Sequence, residues 1–150
     1  MTRTLALLAL VCMGCSNGSQ GAVSFRWRIL DQCTGETFDP AEHADVATGA
    51  CVDQGWRIDV VRLHAQRLDA AADPLQFDFS CDGREGTTPF QIPAGEYSLS
   101  VAGLRPGSAS IQECIEAITP PPVVRSVKDA EITNIDVIQL NVSTCSTVCQ

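Results

Sequence analysis

Residues 23–30, VSFRWRIL, decide the fold of this chain. Val23, Phe25 and Trp27 fall on one phase of the segment, while a serine and two arginines fall on the other. Successive side chains of a strand point to opposite faces of the sheet, so a period of two indicates a strand with one buried face. The segment therefore predicts a β-strand that lies against a hydrophobic core.

Similar alternation recurs along the chain. It is present in LQFDFSC at 75–81, in GEYSLSV at 95–101 and in the closing strands within AEITNIDVIQLNVS at 130–143. The segment GWRIDVVRLHAQRL at 55–68 begins in the same way but shifts its phase at Val60-Val61, which indicates a bulge or a strand buried on both faces. A helix over 61–72 is the alternative, and we expect a strand followed by a loop.

The strand segments are short and are separated by turn-forming residues such as CDGREGTTP at 81–89. Three consecutive prolines at 120–122 predict an extended spacer that cannot lie in a central strand. About seven strands, little helix and no internal repeat predict an all-β fold, an antiparallel β-sandwich. We expect one such domain over residues 23–150.

Eight cysteines provide the next evidence. Six of them follow residue 32, and an even number in an exported domain predicts three disulfides. A metal cluster is the alternative, but no CxxC spacing occurs among these six cysteines. Six cysteines allow fifteen pairings; the set that we prefer is Cys33–Cys51, Cys81–Cys114 and Cys145–Cys149.

The N-terminus predicts export. Arg3 precedes an apolar run over 5–13, which is far shorter than the about 20 residues that a membrane-spanning helix needs. The sequence VCMGC at 11–15 resembles the lipobox of bacterial lipoproteins, a resemblance that implies cleavage before Cys15 and lipidation of its thiol. An ordinary secretory signal is the alternative. We expect a signal peptide over 1–14, then the lipidated cysteine and a flexible tether over 15–22.

Two segments carry a second resemblance. TPFQIPAGEYSLSVAGL at 88–104 and AEITNIDVIQLNV at 130–142 are similar to the turn-and-strand segments of carboxypeptidase regulatory-like, or prealbumin-like, β-sandwiches. The resemblance implies a fold and no particular function, because sandwiches of this kind have many roles.

The formal net charge of the chain is −8, and it becomes one unit more negative when Arg3 is removed with the signal. Such a domain repels phosphate backbones, so we expect no nucleic-acid partner. Half of the basic residues fall on or near predicted strands and predict a positive stripe that could bind a ligand: Arg26, Arg28, Arg57, Arg62 and Arg67. The alternative is that these arginines balance neighbouring carboxylates across the sheet.

No catalytic motif or metal spacing occurs in the sequence. His43 and His64 are isolated, and Asp39, Glu42 and Asp45 do not have the spacing of a calcium loop. Both tryptophans lie on the apolar phase of their strands and are expected in the core, with a sugar-stacking platform as the alternative. We therefore expect no enzyme activity, no metal and no cofactor.

The leading hypothesis is a lipid-anchored accessory or protein-interaction module of the bacterial cell envelope, on the outer rather than the inner membrane. A Ser follows Cys15 where the inner-membrane retention signal of lipoproteins would place Asp. The first alternative is a surface carbohydrate-binding or adhesion module, so the expected partner is an envelope protein or a glycan. The second alternative is a hydrolase or an inhibitor of one.

Overall fold

A computed structural model describes residues 18–32, 34–53, 56–104 and 120–142 of the chain. Within these ranges there are twelve strands, which are β1 (Gln20–Asp31), β2 (Thr37–Phe38), β3 (Ala44–Asp45), β4 (Ala50–Asp53), β5 (Trp56–Ile58), β6 (Val60–Arg67), β7 (Leu75–Ser80), β8 (Glu85–Thr87), β9 (Ile92–Pro93), β10 (Gly95–Leu104), β11 (Val123–Val127) and β12 (Ile132–Val142). Two 3₁₀ helices cover Pro40–His43 and Cys81–Gly83. No helix in these ranges is long and apolar enough to cross a membrane. The all-β class is confirmed.

The strands form two main sheets and one small sheet. β1 lies in the middle of the first sheet, with β12 on one side and with β9, β8 and β2 in succession on the other. The second sheet is antiparallel and has the order β11-β10-β6-β7. The small sheet is β3-β4-β5. The two main sheets pack as the predicted β-sandwich around a single hydrophobic core.

The core contains the apolar phase of each long strand. Val23, Phe25, Trp27 and Ile29 of β1 are all buried, as their alternation predicts. The ring of Phe79 in the second sheet meets the ring of Phe25 edge-on, with 5.2 Å between centroids. Burial of one large apolar side chain stabilises a fold by about 1.5–3 kcal/mol. The inward face of β1 is therefore a main source of stability.

The pair β1–β12 is parallel, in contrast to the other strand pairs. Its register shifts by one residue, because Phe25 pairs with Ile135 and Arg26 pairs with Val137, which leaves Asp136 as a bulge. The described residues of the segment at 130–143 contain one strand, β12, whereas more than one closing strand was predicted. Alternation reports which face is buried and carries no information about the direction of the partner strand, so the parallel pair could not be predicted.

The phase shift at Val60-Val61 marks a change of sheet. Ile58 is buried in β5 of the small sheet, and Val61 and Leu63 are buried in β6 of the second sheet. Asp59 lies between the two strands, and its backbone N–H donates to the carbonyl of Leu104 at 2.8 Å. β6 ends at Arg67, and a loop over 68–74 follows. The prediction of a strand followed by a loop, rather than a helix, is confirmed.

The domain begins at Gln20, three residues before the predicted boundary. Gly21 and Ala22 are buried, and the backbone N–H of Ala22 donates to the carbonyl of Glu131 at 3.0 Å. The prediction that the tether extends to residue 22 is therefore wrong, since these small residues fit a crowded position beside the β11–β12 connection. A Cβ at Gly21 would lie 2.3 Å from the carbonyl oxygen of Lys128.

A disulfide joins Cys51 of β4 to Cys81 at the start of the second 3₁₀ helix. Both residues are fully buried, and their Cα atoms are 5.5 Å apart. The segments also meet through hydrogen bonds, because the carbonyl of Gly49 accepts from the Ser80 hydroxyl at 2.9 Å and from the Asp82 backbone N–H at 3.2 Å. The disulfide therefore links the small sheet to the chain segment that follows β7.

This bond overturns two predicted pairings, Cys33–Cys51 and Cys81–Cys114, because each required a sulfur atom that the Cys51–Cys81 bond uses. The predictions assumed closure of nearby loops, whereas the sandwich brings together cysteines that are 30 residues apart in the chain. The predicted partners Cys33 and Cys114, the pair Cys145–Cys149 and the lipidation residue Cys15 lie outside the described residues.

The double variant Cys51→Ala/Cys81→Ala should lower the free energy of unfolding by about 3–4 kcal/mol, because a cross-link over 30 residues restricts the unfolded chain. Urea unfolding, followed by tryptophan fluorescence in the absence of reductant, measures this difference. Non-reducing peptide mapping of the unmodified protein is the companion measurement. A peptide in which Cys51 is joined to Cys33 would contradict the structure.

Candidate functional site

The predicted arginine stripe is the first candidate. Arg26 and Arg28 lie on the outer face of β1 in the first sheet, Arg57 lies in the small sheet, and Arg62 lies on β6 in the second sheet. The structure therefore brings Arg26 and Arg28 together and separates them from Arg57 and Arg62. The prediction of one continuous stripe is wrong, because segments that are near in sequence belong to different layers of the sandwich.

Two of these arginines balance a carboxylate directly across the sheet. Arg62 faces Asp78 on β7 and donates to both of its carboxylate oxygens, at 2.6 Å and 2.8 Å. These hydrogen bonds lower the pKa of Asp78 and raise the pKa of Arg62. Arg26 faces Glu85 on β8, with 3.2 Å between Nε and the nearer oxygen. For this pair of arginines, the alternative of cross-strand charge balance is confirmed.

Arg57 and Arg67 pair with carboxylates in their own chain segments. The Arg57 guanidinium lies 2.6 Å from a carboxylate oxygen of Asp59, and this hydrogen bond raises the pKa of Arg57. Arg67 donates to Asp69 at 2.5 Å and to the carbonyl of Ala94 at 3.0 Å. These two arginines therefore hold turns and strand ends in place.

Arg28 differs from the other basic side chains. The described part of the chain contains eight Lys and Arg residues, and seven of them lie within 4.0 Å of a carboxylate oxygen. Arg28 is exposed and has no such partner among the described residues. A guanidinium in this state can accept an external anion without first breaking an ion pair.

Arg28 lies in a groove that results from an interruption along one edge of β1. β8 pairs with Ser24–Arg26 and β2 pairs with Ile29–Leu30, so residues 27–28 lie between the two short strands. The groove has a volume of about 610 Å³, within the range typical of ligand sites. We name it the β1 groove and define it by its charged residues, which are Arg26, Arg28, Asp39, Arg84 and Glu85, and by its uncharged residues, which are Trp27, Thr37, Phe38, Pro40, Gly83 and Val137.

The charges of the β1 groove do not cancel. Arg84 lies 2.8 Å from Asp39 through its Nε, and Arg26 pairs with Glu85. Three guanidinium groups and two carboxylates leave one excess positive charge, on Arg28, in a chain whose formal net charge is −8. The groove is therefore a local positive site on an acidic protein.

The walls of the groove are held by interactions below its surface. Trp27 is buried, and its indole N–H donates to the carbonyl of Cys81 at 2.9 Å. The disulfide of Cys81 fixes the segment that leads to Arg84, which has a left-handed φ of 58°. On the opposite wall, Asp39 accepts from the backbone N–H of Ala41 and caps the first 3₁₀ helix. The groove is thus largely formed before a ligand arrives.

The histidines lie outside the groove. His43 Nδ1 is 3.1 Å from a carboxylate oxygen of Asp53, and its ring packs edge-on against Phe38 with 4.9 Å between centroids. This contact supports one groove wall from behind. His64 lies on β6, where its cross-strand neighbours are Ser100 and Gln76, neither of which carries a carboxylate.

The carboxylates of 39–45 serve local structure. Asp45 accepts from the Thr48 hydroxyl and the Ala47 backbone N–H, and these hydrogen bonds lower the pKa of Asp45. Asp39 is the helix cap and the partner of Arg84. Within the described ranges, no three His, Cys, Asp or Glu side chains are grouped so that they could hold a metal ion.

The tryptophan and tyrosine side chains are all in the core. The chain has two tryptophans and one tyrosine, and the exposed fractions of Trp27, Trp56 and Tyr97 are 2%, 8% and 1%. Tyr97 instead donates its hydroxyl to the carbonyl of Pro93 at 2.9 Å and closes the turn before β10. The core prediction for both tryptophans is confirmed.

Replacement of Arg28 by alanine should change the free energy of unfolding by less than about 0.5 kcal/mol, because the side chain has no carboxylate partner among the described residues. The comparison variant Arg62→Ala should cost up to about 1 kcal/mol, since it breaks a two-point ion pair. Urea unfolding of both variants tests the contrast. A larger loss for Arg28→Ala than for Arg62→Ala would show that Arg28 has a structural role.

Comparison with protein-family models, curated proteins and solved structures finds no match to this chain. The resemblances to lipobox lipoproteins and to prealbumin-like sandwiches therefore rest on the quoted motifs. The geometry of the β1 groove is therefore the main structural indication of what the protein does.

Proposed function

We propose that this protein is a non-catalytic, lipid-anchored binding module of the bacterial cell envelope, and that it docks to another envelope protein through the β1 groove. The observation that carries the proposal is the pre-formed groove with one guanidinium, that of Arg28, that has no carboxylate partner among the described residues of an acidic chain. Its residues include carboxylates and arginines that neutralise each other, and it does not gather a nucleophile, a base and an oxyanion site as a hydrolase would.

The position of the groove supports a partner at some distance from the membrane. In the lipoprotein interpretation, the tether from Cys15 enters the domain at Gln20, the first residue of β1. Arg28 is eight residues further along the strand, about 26 Å at 3.3 Å per residue. A tether at one end of β1 and a groove well along it leave the groove accessible to a neighbouring envelope component.

The burial of all tryptophan and tyrosine side chains favours a protein partner over a glycan. Carbohydrate-binding surfaces commonly use an exposed tryptophan or tyrosine ring, and both tryptophans and the tyrosine of this chain are buried. The apolar side chains that line the groove include Phe38 and Val137, which suit contact with an aliphatic side chain of a polypeptide.

Replacement of Cys15 by alanine should move the protein from the membrane fraction to the soluble fraction, because the acyl chains provide the anchoring energy. Ultracentrifugation of lysed cells, followed by immunoblotting, measures the distribution. The variant Ser16→Ala is the control for a change beside the lipidation residue and should remain in the pellet. Continued pelleting of Cys15→Ala without detergent would contradict the lipid anchor.

Mild cross-linking of cells that express the tagged full chain should recover a reproducible envelope protein after detergent solubilisation. The intact mass of the purified chain, before and after reduction, shows in the same preparation whether lipid and disulfides are present. Recovery of glycan with no protein partner would contradict the proposed function.

A further inference from the structure

We infer that the β1 groove binds a carboxylate of the partner polypeptide, either an Asp or Glu side chain or a chain terminus, beside an aliphatic residue, and that Arg28 is the anchor for this group. This inference rests on the proposed function, because it specifies what the docking surface recognises. It follows from the charge of the groove, the identity of its resident carboxylates and the apolar side chains around Arg28.

Arg28 is the donor that remains available. In the groove, Arg26 already forms an ion pair with Glu85, and Arg84 forms one with Asp39. The Arg28 guanidinium has five N–H donors in a planar fork, which match the two oxygens of a carboxylate. A ligand carboxylate can therefore form a two-point contact with Arg28 and leave both resident ion pairs intact.

The resident carboxylates define the charge of the ligand. Asp39 and Glu85 lie in the same groove and repel any anion that enters. A single negative charge neutralises the excess charge of Arg28, whereas a phosphomonoester near neutral pH brings up to two and meets stronger repulsion. The groove is therefore better matched to a carboxylate than to a phosphomonoester.

The apolar border defines what accompanies the carboxylate. Val137 is 52% exposed on β12, and Phe38 is half-buried on β2. Both border the groove together with the ring of Pro40. An aliphatic side chain next to the carboxylate would cover these surfaces on binding, whereas the hydroxyl groups of a uronic acid would not. A polypeptide carboxylate is the ligand that fits both the charge and the border.

A peptide titration tests the chemistry of the groove. The probe is the capped tripeptide acetyl-Leu-Asp-Leu-amide, added to the ¹⁵N-labelled full chain in detergent micelles and followed by NMR, with the Arg side-chain resonances as reporters. The comparison ligands are the corresponding peptide with Asn in place of Asp and an oligogalacturonate. We expect the Asp peptide to bind at least about tenfold more tightly than either comparison ligand, a difference of about 1.4 kcal/mol or more.

Variants of the chain locate the binding. Arg28→Ala should weaken binding of the Asp peptide at least tenfold, and Arg28→Lys should restore part of it, because lysine keeps the charge but not the fork. Lys128→Gln is the matched control, since it removes one exposed positive charge outside the groove, and it should change the affinity less than twofold. Equal affinity in Arg28→Ala and the unmodified chain would overturn the inference, as would tighter binding of the oligogalacturonate.

A site-specific photo-cross-linker tests the same surface in cells. Benzoylphenylalanine in place of Val137 should capture a partner segment that contains an acidic residue, with the attachment point determined by mass spectrometry. Leu68, which is 51% exposed and directly follows β6 of the second sheet, is the matched control position and should not capture this segment. Capture of the same segment from both positions would overturn the inference.

The two proposals fail in distinguishable ways. If the Arg28→Ala chain still recovers the partner protein with the yield of the unmodified chain, the carboxylate inference fails and the proposed function stands. If the unmodified chain recovers no envelope protein, the proposed function fails independently of the peptide result.

Discussion

The constraint on which the structure depends is that β1 must bury one face and pair along both edges at once. Phe25 and Trp27 lie in the core, where each ring is within 6.5 Å of the ring of Phe79 from the second sheet. One edge is paired with β12 from Ala22 to Asp31, but the other is shared among three short strands. The interruption between β8 and β2 leaves room for the β1 groove, whose base is formed by the same strand that organises the core.

The sequence is a good guide to the strands because one-sided burial leaves a direct period-two signal. The buried residues Val23, Leu63 and Leu99 could each be predicted from the two or three residues on either side. Partners across the sandwich leave no such local signal. The Cys51–Cys81 bond and the parallel pairing of β12 join segments that are far apart in the chain, so pairing by proximity gave the wrong cysteines and an antiparallel sheet throughout.

The candidate site shows the same division. Alternation correctly placed Arg26 and Arg28 on the solvent face of β1. It did not indicate that Arg84 and Asp39, from two separate turns, complete the groove, or that Arg62 points away on the other sheet. The sequence indicated only that acidic residues outnumber the arginines that they could pair with. Glu85 and Asp78 can be placed opposite an arginine only when the strand register is known.

An acidic domain with a proposed site for an acidic ligand has an apparent conflict, which the proposed lipid anchor would resolve. A formal net charge of −8 disfavours the approach of an anionic segment at long range, while Arg28 attracts it only at short range. Free in solution, such a site would bind weakly, because one two-point ion pair and a small apolar contact must offset the entropy cost of association. In the proposed arrangement, confinement of both proteins to one envelope would raise their effective concentration and remove the need for a tight contact. The same weakness gives selectivity, since only a carboxylate that arrives with a fitting aliphatic neighbour gains enough contact area with Phe38 and Val137 to remain bound.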